Sequence, residues 1–189
     1  LLDEEKRSAK ASVKALEAEG LKMPGTVGGK AKVKDASVNL EGRNLDAKVK
    51  QAHVSGVYSG GSSVGYANAS GIGVGIRGLG TEKQVTSTAI AHFNAGGISS
   101  GTKDNGSSID KVRGSGLSMV SCKGMGGGTG LKVASVDAEG IVNTSTDKET
   151  GERSVASIET ASARGVGMSS GKDKSVTVDE ASLGGVNYS

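Results

Sequence analysis

The side chains with most capacity for chemistry are few: His53, His92 and Cys122 are the only residues of their kinds in the 189-residue chain. No cysteine or histidine partner stands at ligand spacing from either histidine, so no zinc site is expected. Cys122 with His92 would supply a nucleophile and a base, but no third group orients the pair. They are read as a surface histidine and a small, half-buried thiol. The acidic stretches Asp104-Asn105-Gly106 to Asp110 and Asp147 to Glu152 lack the alternating oxygen ligands of a calcium loop and are read as solvated turns. The remaining acids are spread through turns and outward positions, so no catalytic carboxylate pair emerges. The expectation is no enzyme, no cofactor and no metal.

Two glycine-rich stretches have the composition of phosphate cradles. Gly124 to Gly130, GMGGGTG, resembles the phosphate-binding glycine loop of tubulin-like division GTPases, which lies between a strand and a helix. Here Leu131-Lys132-Val133 follows and opens another repeat, so the stretch is read as a hairpin turn. It also fails as a Walker loop, because no Lys-Ser/Thr follows its last glycine. Gly71 to Gly78, GIGVGIRG, lacks the strand–helix setting of a dinucleotide loop and is read as a glycine-rich strand.

The elements that carry these residues follow one degenerate frame, clearest in KVASVDAEGIV, Lys132 to Val142. Counted from a glycine at position zero, apolar residues stand at minus seven and plus one. Apolar or small residues stand at minus four and minus two. The anchors are Gly20, Gly56, Gly71, Gly97, Gly116, Gly140, Gly165 and Gly185, and one weak unit, Val33-Ala36-Val38, has Leu40 where glycine is expected. Position plus three is often apolar: Met23, Val74, Met119, Met168 and Tyr188. The anchors lie roughly 15 to 26 residues apart, near the periods of repeat architectures. The connectors vary: Pro24-Gly25, Ser59 to Ser63, Gly78 to Lys83, Gly101 to Ser108, Lys123 to Gly130, Thr146 to Ser154 and Ser170 to Ser175. They are rich in turn-forming Gly, Ser, Asp, Asn and Lys.

The offsets fit one helical face as well as a strand. Composition decides for strands, since Val, Ile, Thr, Ser and Gly dominate the later units. Residues 1–23 keep two readings: Asp3 to Glu19 is rich in Ala, Glu and Lys and fits a helical or capping segment, and it also fits the strand frame. Strict alternation along a strand puts minus four, minus two and zero on one face and minus seven, plus one and plus three on the other. A bulge or sharp twist at the glycine would return the apolar stripe to one side. The predicted fold is all-β: an elongated antiparallel up-and-down meander of about nine long strands, with residues 1–189 forming a single repeat array.

Composition constrains the partners. With 32 Gly, 1 Phe, 3 Tyr and no Trp, a thick core is not available and a thin layer is expected. The formal charge of +3 is a mixture of 23 basic and 20 acidic residues without basic–aromatic interleaving, so no nucleic acid is expected. The single cysteine excludes an intramolecular disulfide. No apolar run reaches the roughly 18 residues of a membrane helix. The start Leu1-Leu2-Asp3, without Met or a signal-peptide pattern, suggests a segment of a larger protein.

The units Asp137-Ala138-Glu139-Gly140-Ile141 and Thr160-Ala161-Ser162-Ala163-Arg164-Gly165-Val166 resemble repeat tracts of large proteins associated with bacterial contractile injection systems. That resemblance spans most of the chain. It implies a non-catalytic structural or interaction module, secreted or at the cell surface, that spaces or presents other domains. Expected partners are other protein domains or further copies of the chain, through sheet edges. The pattern is also loosely similar to AsmA-like and bridge-like lipid carriers, which implies a lipid-binding β-groove. A third reading is a pore of amphipathic hairpins, although no aromatic girdle is visible.

Overall fold

The computed structural model describes residues 8–20, 22–23, 26–27, 29–124, 127–171 and 174–189. They form an all-β, single open antiparallel meander without helices. The strands are β1 (Ser8–Glu19), β2 (Lys22–Met23), β3 (Thr26–Val27), β4 (Lys30–Glu41), β5 (Asn44–Ser59) and β6 (Ser62–Arg77). They continue as β7 (Val85–Gly101), β8 (Gly106–Cys122), β9 (Thr129–Thr146), β10 (Arg153–Ser170), β11 (Ser175–Thr177) and β12 (Glu180–Tyr188). The sheet order is β1-β4-β5-β6-β7-β8-β9-β10-β11, with β12 also paired to β10 so that β11 and β12 share one lane. The short hairpin β2–β3 pairs with the end of β5. The longest strands have 18 residues, or about 60 Å at the usual rise per residue.

Among the described residues nothing covers the two faces of this sheet. Among the described residues no hydrophobic or polar side chain is buried. Only Gly96 is closed off, under the ring of Tyr66. The accessible surface is 12790 Å², against about 8,300 Å² for a compact monomer of 18.7 kDa. The fold is held by continuous ladders and lateral contact between neighbouring side chains.

The ladders carry a regular interruption. Across every pair of long strands the register is the same before and after it, with a single pair missing at each place except between β8 and β9, where Leu117–Val133 is missing beside Gly116–Ala134. Joined across the sheet, the missing pairs trace two rows. The first row runs Lys14, Asp35, Lys50, Gly71, Ala91, Gly116, Ala134, Gly165, Asp179. The second runs Gly20, Gly29, Gly56, Gly65, Gly97, Asp110, Gly140, Glu159, Gly185. Every other residue of each row has a left-handed backbone: Asp35 (φ 49°), Gly71, Gly116 and Gly165 in the first row, and Gly20, Gly56, Gly97, Gly140 and Gly185 in the second. All eight anchoring glycines therefore occupy equivalent places, at φ between 59° and 65°. No residue is inserted, so these are not bulges in the sense of two residues facing one.

The rows also reveal a larger repeat. A side chain at Gly71 would meet the Ala91 Cβ at 2.7 Å, and one at Gly116 the Ala134 Cβ at 2.7 Å. One at Gly140 would run into Asp110, at Gly165 into Asp179, and at Gly185 into Glu159. Each close approach lies within β6/β7, β8/β9 or β10 and its neighbour, and the Gly56–Gly29 and Gly97–Gly65 approaches keep to β4/β5 and β6/β7. The structural unit is thus a pair of strands.

Two expectations need correction, and one open reading is decided. The unit aligned on Leu40 is anchored five residues earlier, on Asp35, an aspartate that a search for glycine passes over. Of the two readings kept for residues 1–23, Ser8–Glu19 takes the strand. Its lysines and glutamates suit a helix locally, but pairing with β4 supplies ion pairs across the ladder, Glu19 to Lys30 at 2.7 Å and Glu17 to Lys32. Cys122 is exposed rather than half-buried, because it closes β8 at the end of the sheet. Leu21, the Pro24-Gly25 turn and residues 125–126 of the GMGGGTG stretch lie outside the described residues.

Candidate interaction surfaces

The two rows divide the sheet into a central band and two flanking bands. In the central band, five residues of each strand stand between the rows, and alternation assigns them to opposite faces. One face is apolar throughout. Its first row is Leu16, Val33, Ala52, Ala69, Phe93, Gly114, Val136, Ala163 and Ala181. Its second is Ala18, Ala31, Val54, Ala67, Ala95, Val112, Ala138, Ala161 and Leu183. These are the minus-four and minus-two positions of the frame. Most are small, and the ring of Phe93 lies over Gly114. Such a face has shallow relief and admits another surface closely.

The opposite face of this band is polar and internally bonded. His53 Nδ1 donates to Asn68 Oδ1 at 2.5 Å, and Asn68 Nδ2 donates to Asn94 Oδ1 at 2.8 Å. Arg113 pairs with Glu139 at 2.5 Å, and hydroxyls meet across strands at Ser115–Ser135 (2.8 Å) and Ser162–Ser182 (2.7 Å). Lys32, Lys34, Gln51, His53, Asn68 and His92 line an open depression of about 400 Å³ here. Lys32 holds the Glu17 carboxyl below its ordinary range by hydrogen bonding and by charge.

Outside the rows, the minus-seven and plus-one positions meet each other. Val49, Ile72, Ile90 and Leu117 form one continuous line, and Val57, Val64, Ile98, Ile109, Ile141, Ile158 and Val186 form the other. These branched residues directly follow the left-handed Gly56, Gly71, Gly97, Gly116, Gly140 and Gly185 or face one that does.

The residues considered for catalysis are not assembled. His92 pairs with Ser115, seven residues before Cys122 on β8, a separation of about 23 Å along the strand. Among the described residues no group of three or more His, Cys, Asp or Glu is placed to hold a metal ion. The acidic turns serve their own geometry. Asp147 Oδ1 accepts the amides of Glu149 (2.7 Å) and Thr150 (2.9 Å), which lower its pKa. Asn105 Oδ1 accepts the Thr146 amide at 2.9 Å. Gly71 to Arg77 lies within β6, as expected of a glycine-rich strand.

Sequence reading missed the residues opposite the anchors, six positions before them, such as Gly65, Ala91, Asp110 and Ala134. Their common property is their place in the register, which their types do not reveal. No family model, curated protein or solved structure matches this chain.

Proposed function

We propose that this chain is a non-catalytic structural and interaction module of a large secreted or surface protein, of the kind associated with bacterial injection systems, which presents sheet faces and edges to other protein surfaces. The observation that carries this reading is the uncovered central band: two unbroken apolar rows on a sheet with about 4,500 Å² more surface than a compact monomer. A standard protein interface buries about 1,600 Å² in total, so one sheet face offers ample area. Small side chains favour a flat protein partner over the deep groove that acyl chains need.

The test is native mass spectrometry of the purified chain with light scattering and a liposome dye-release assay. The reading predicts self- or protein-association without lipid adducts and without leakage. Stoichiometric phospholipid retained through purification would replace it with the lipid-groove reading, and rapid dye release with the pore reading.

A further inference from the structure

We infer that the free edge of β12 pairs with the same edge of a second copy of this chain, antiparallel, about a two-fold axis through Ser182. The inference rests on the interaction-module reading and names its partner and register.

The two outer lanes differ in how they are guarded. β1 carries Lys10, Lys14, Glu17 and Glu19, the kind of charges that keep an edge from pairing. From Ala181 to Ser189 the other edge carries no charge. Its apolar residues are the most exposed large ones described: Tyr188 77%, Val176 69%, Leu183 65% and Val186 63%. Leu183 and Val186 each end an apolar row that crosses the sheet, and Val176 ends the shorter line Met168, Leu131, Met119.

The rows fix the register without adjustment. Inside the sheet every left-handed residue faces a residue of ordinary backbone on both sides: Gly71 lies between Lys50 and Ala91, and Gly140 between Asp110 and Glu159. For two β12 strands to meet by the same rule, Gly185 must face the partner's Asp179. Both rows then continue, and Ser182 faces its own counterpart on the axis. In that register Leu183 meets the partner's Ala181, Val186 the partner's Val178 and Tyr188 the partner's Val176. Serine opposite serine is the pairing already made at Ser162–Ser182 and Ser115–Ser135. No like charges oppose one another. The same rule applied to β1 places Glu17 opposite Glu17, which is unfavourable.

The test uses the full chain with Cys122→Ser as background. Paired antiparallel strands bring opposite Cα atoms to about 4.5–5.5 Å, within disulfide reach. Ser182→Cys under copper–phenanthroline oxidation is expected to give a disulfide-linked dimer, at least about tenfold more abundant than from Glu17→Cys, equivalent to about 1.4 kcal/mol of edge preference. In the unoxidised chain, Val186→Lys is expected to weaken dimerisation by at least about tenfold in light scattering. Should that variant lose its β circular dichroism, the cross-linking contrast decides alone. A monomer at about 100 µM, a concentration at which weak micromolar pairs are largely associated, overturns the inference, as does equal cross-linking at both edges. A monomer that still captures protein through its faces would leave the module reading standing.

Discussion

Asp35 and Gly116 occupy the same place in two different parts of the sheet. Both lie in the first row, both have a left-handed backbone, and both interrupt a ladder whose register is otherwise unbroken. In the interior, Gly116 approaches Ala134 so closely that a Cβ would stand 2.7 Å from the alanine methyl. At β4, Asp35 faces Lys50 instead, and the two side chains pair at 3.6 Å in exposed surroundings. The lattice therefore demands a backbone conformation at each anchor, and a close neighbour adds a steric demand for glycine at Gly71, Gly116, Gly140, Gly165 and Gly185. Aspartate is among the few residues that adopt left-handed geometry at modest cost.

That distinction orders the expected effects of substitution. Gly71→Ala combines left-handed strain with the Ala91 methyl at 2.7 Å, and is expected to lose about 3 kcal/mol in urea unfolding. Adding Ala91→Gly should restore the steric share and leave the strain. If the double variant is no better than the single one, steric contact is not what separates the two regions. Asp35→Val places a branched residue in left-handed geometry without a close neighbour, and about 2 kcal/mol is expected. Asp35→Gly should be within about 0.5 kcal/mol of the parent, because relief of strain offsets an exposed ion pair.

Gly20 sharpens the comparison further. Its φ is 64°, but nothing stands within 4 Å of a Cβ built there, since β1 is the outer lane. Gly20→Ala is expected to cost about 1 kcal/mol, less than any interior anchor. The smallest effect is at the Asp147 turn. The amides of Thr150 and Glu149 hold its carboxyl below the ordinary range. A depressed folded pKa means the contribution is complete above the unfolded value near pH 4 and is lost as pH falls through the folded one. Amide exchange at Glu149 and Thr150 should accelerate across that window, and Asp147→Ala should abolish the pH dependence.

Much of this architecture was legible in the sequence because left-handed geometry is costly for most L-residues. Glycine at Gly56, Gly71, Gly97, Gly116, Gly140, Gly165 and Gly185 therefore stands out against branched flanking residues. Asp35 was not legible, since aspartate is ordinary in turns and the anchor was sought as a glycine. The N-terminal strand was legible only as one of two readings, because the Glu17–Lys32 and Glu19–Lys30 pairs lie across strands while composition reports only local helix preference. The partner positions Ala91, Asp110 and Ala134 carry no signal of type, because what unites them is the register.

The account rests on the anchors being left-handed positions of a lattice, as opposed to glycines scattered through a small-residue sheet. The most direct measurement is the urea unfolding of Gly116→Ala beside Gly130→Ala. Gly130 lies in β9 without positive φ and with nothing within 4 Å of a Cβ. The lattice predicts a loss of about 3 kcal/mol at Gly116 and a neutral or slightly stabilising change, up to about 1 kcal/mol, at Gly130. Equal changes at the two positions would contradict it.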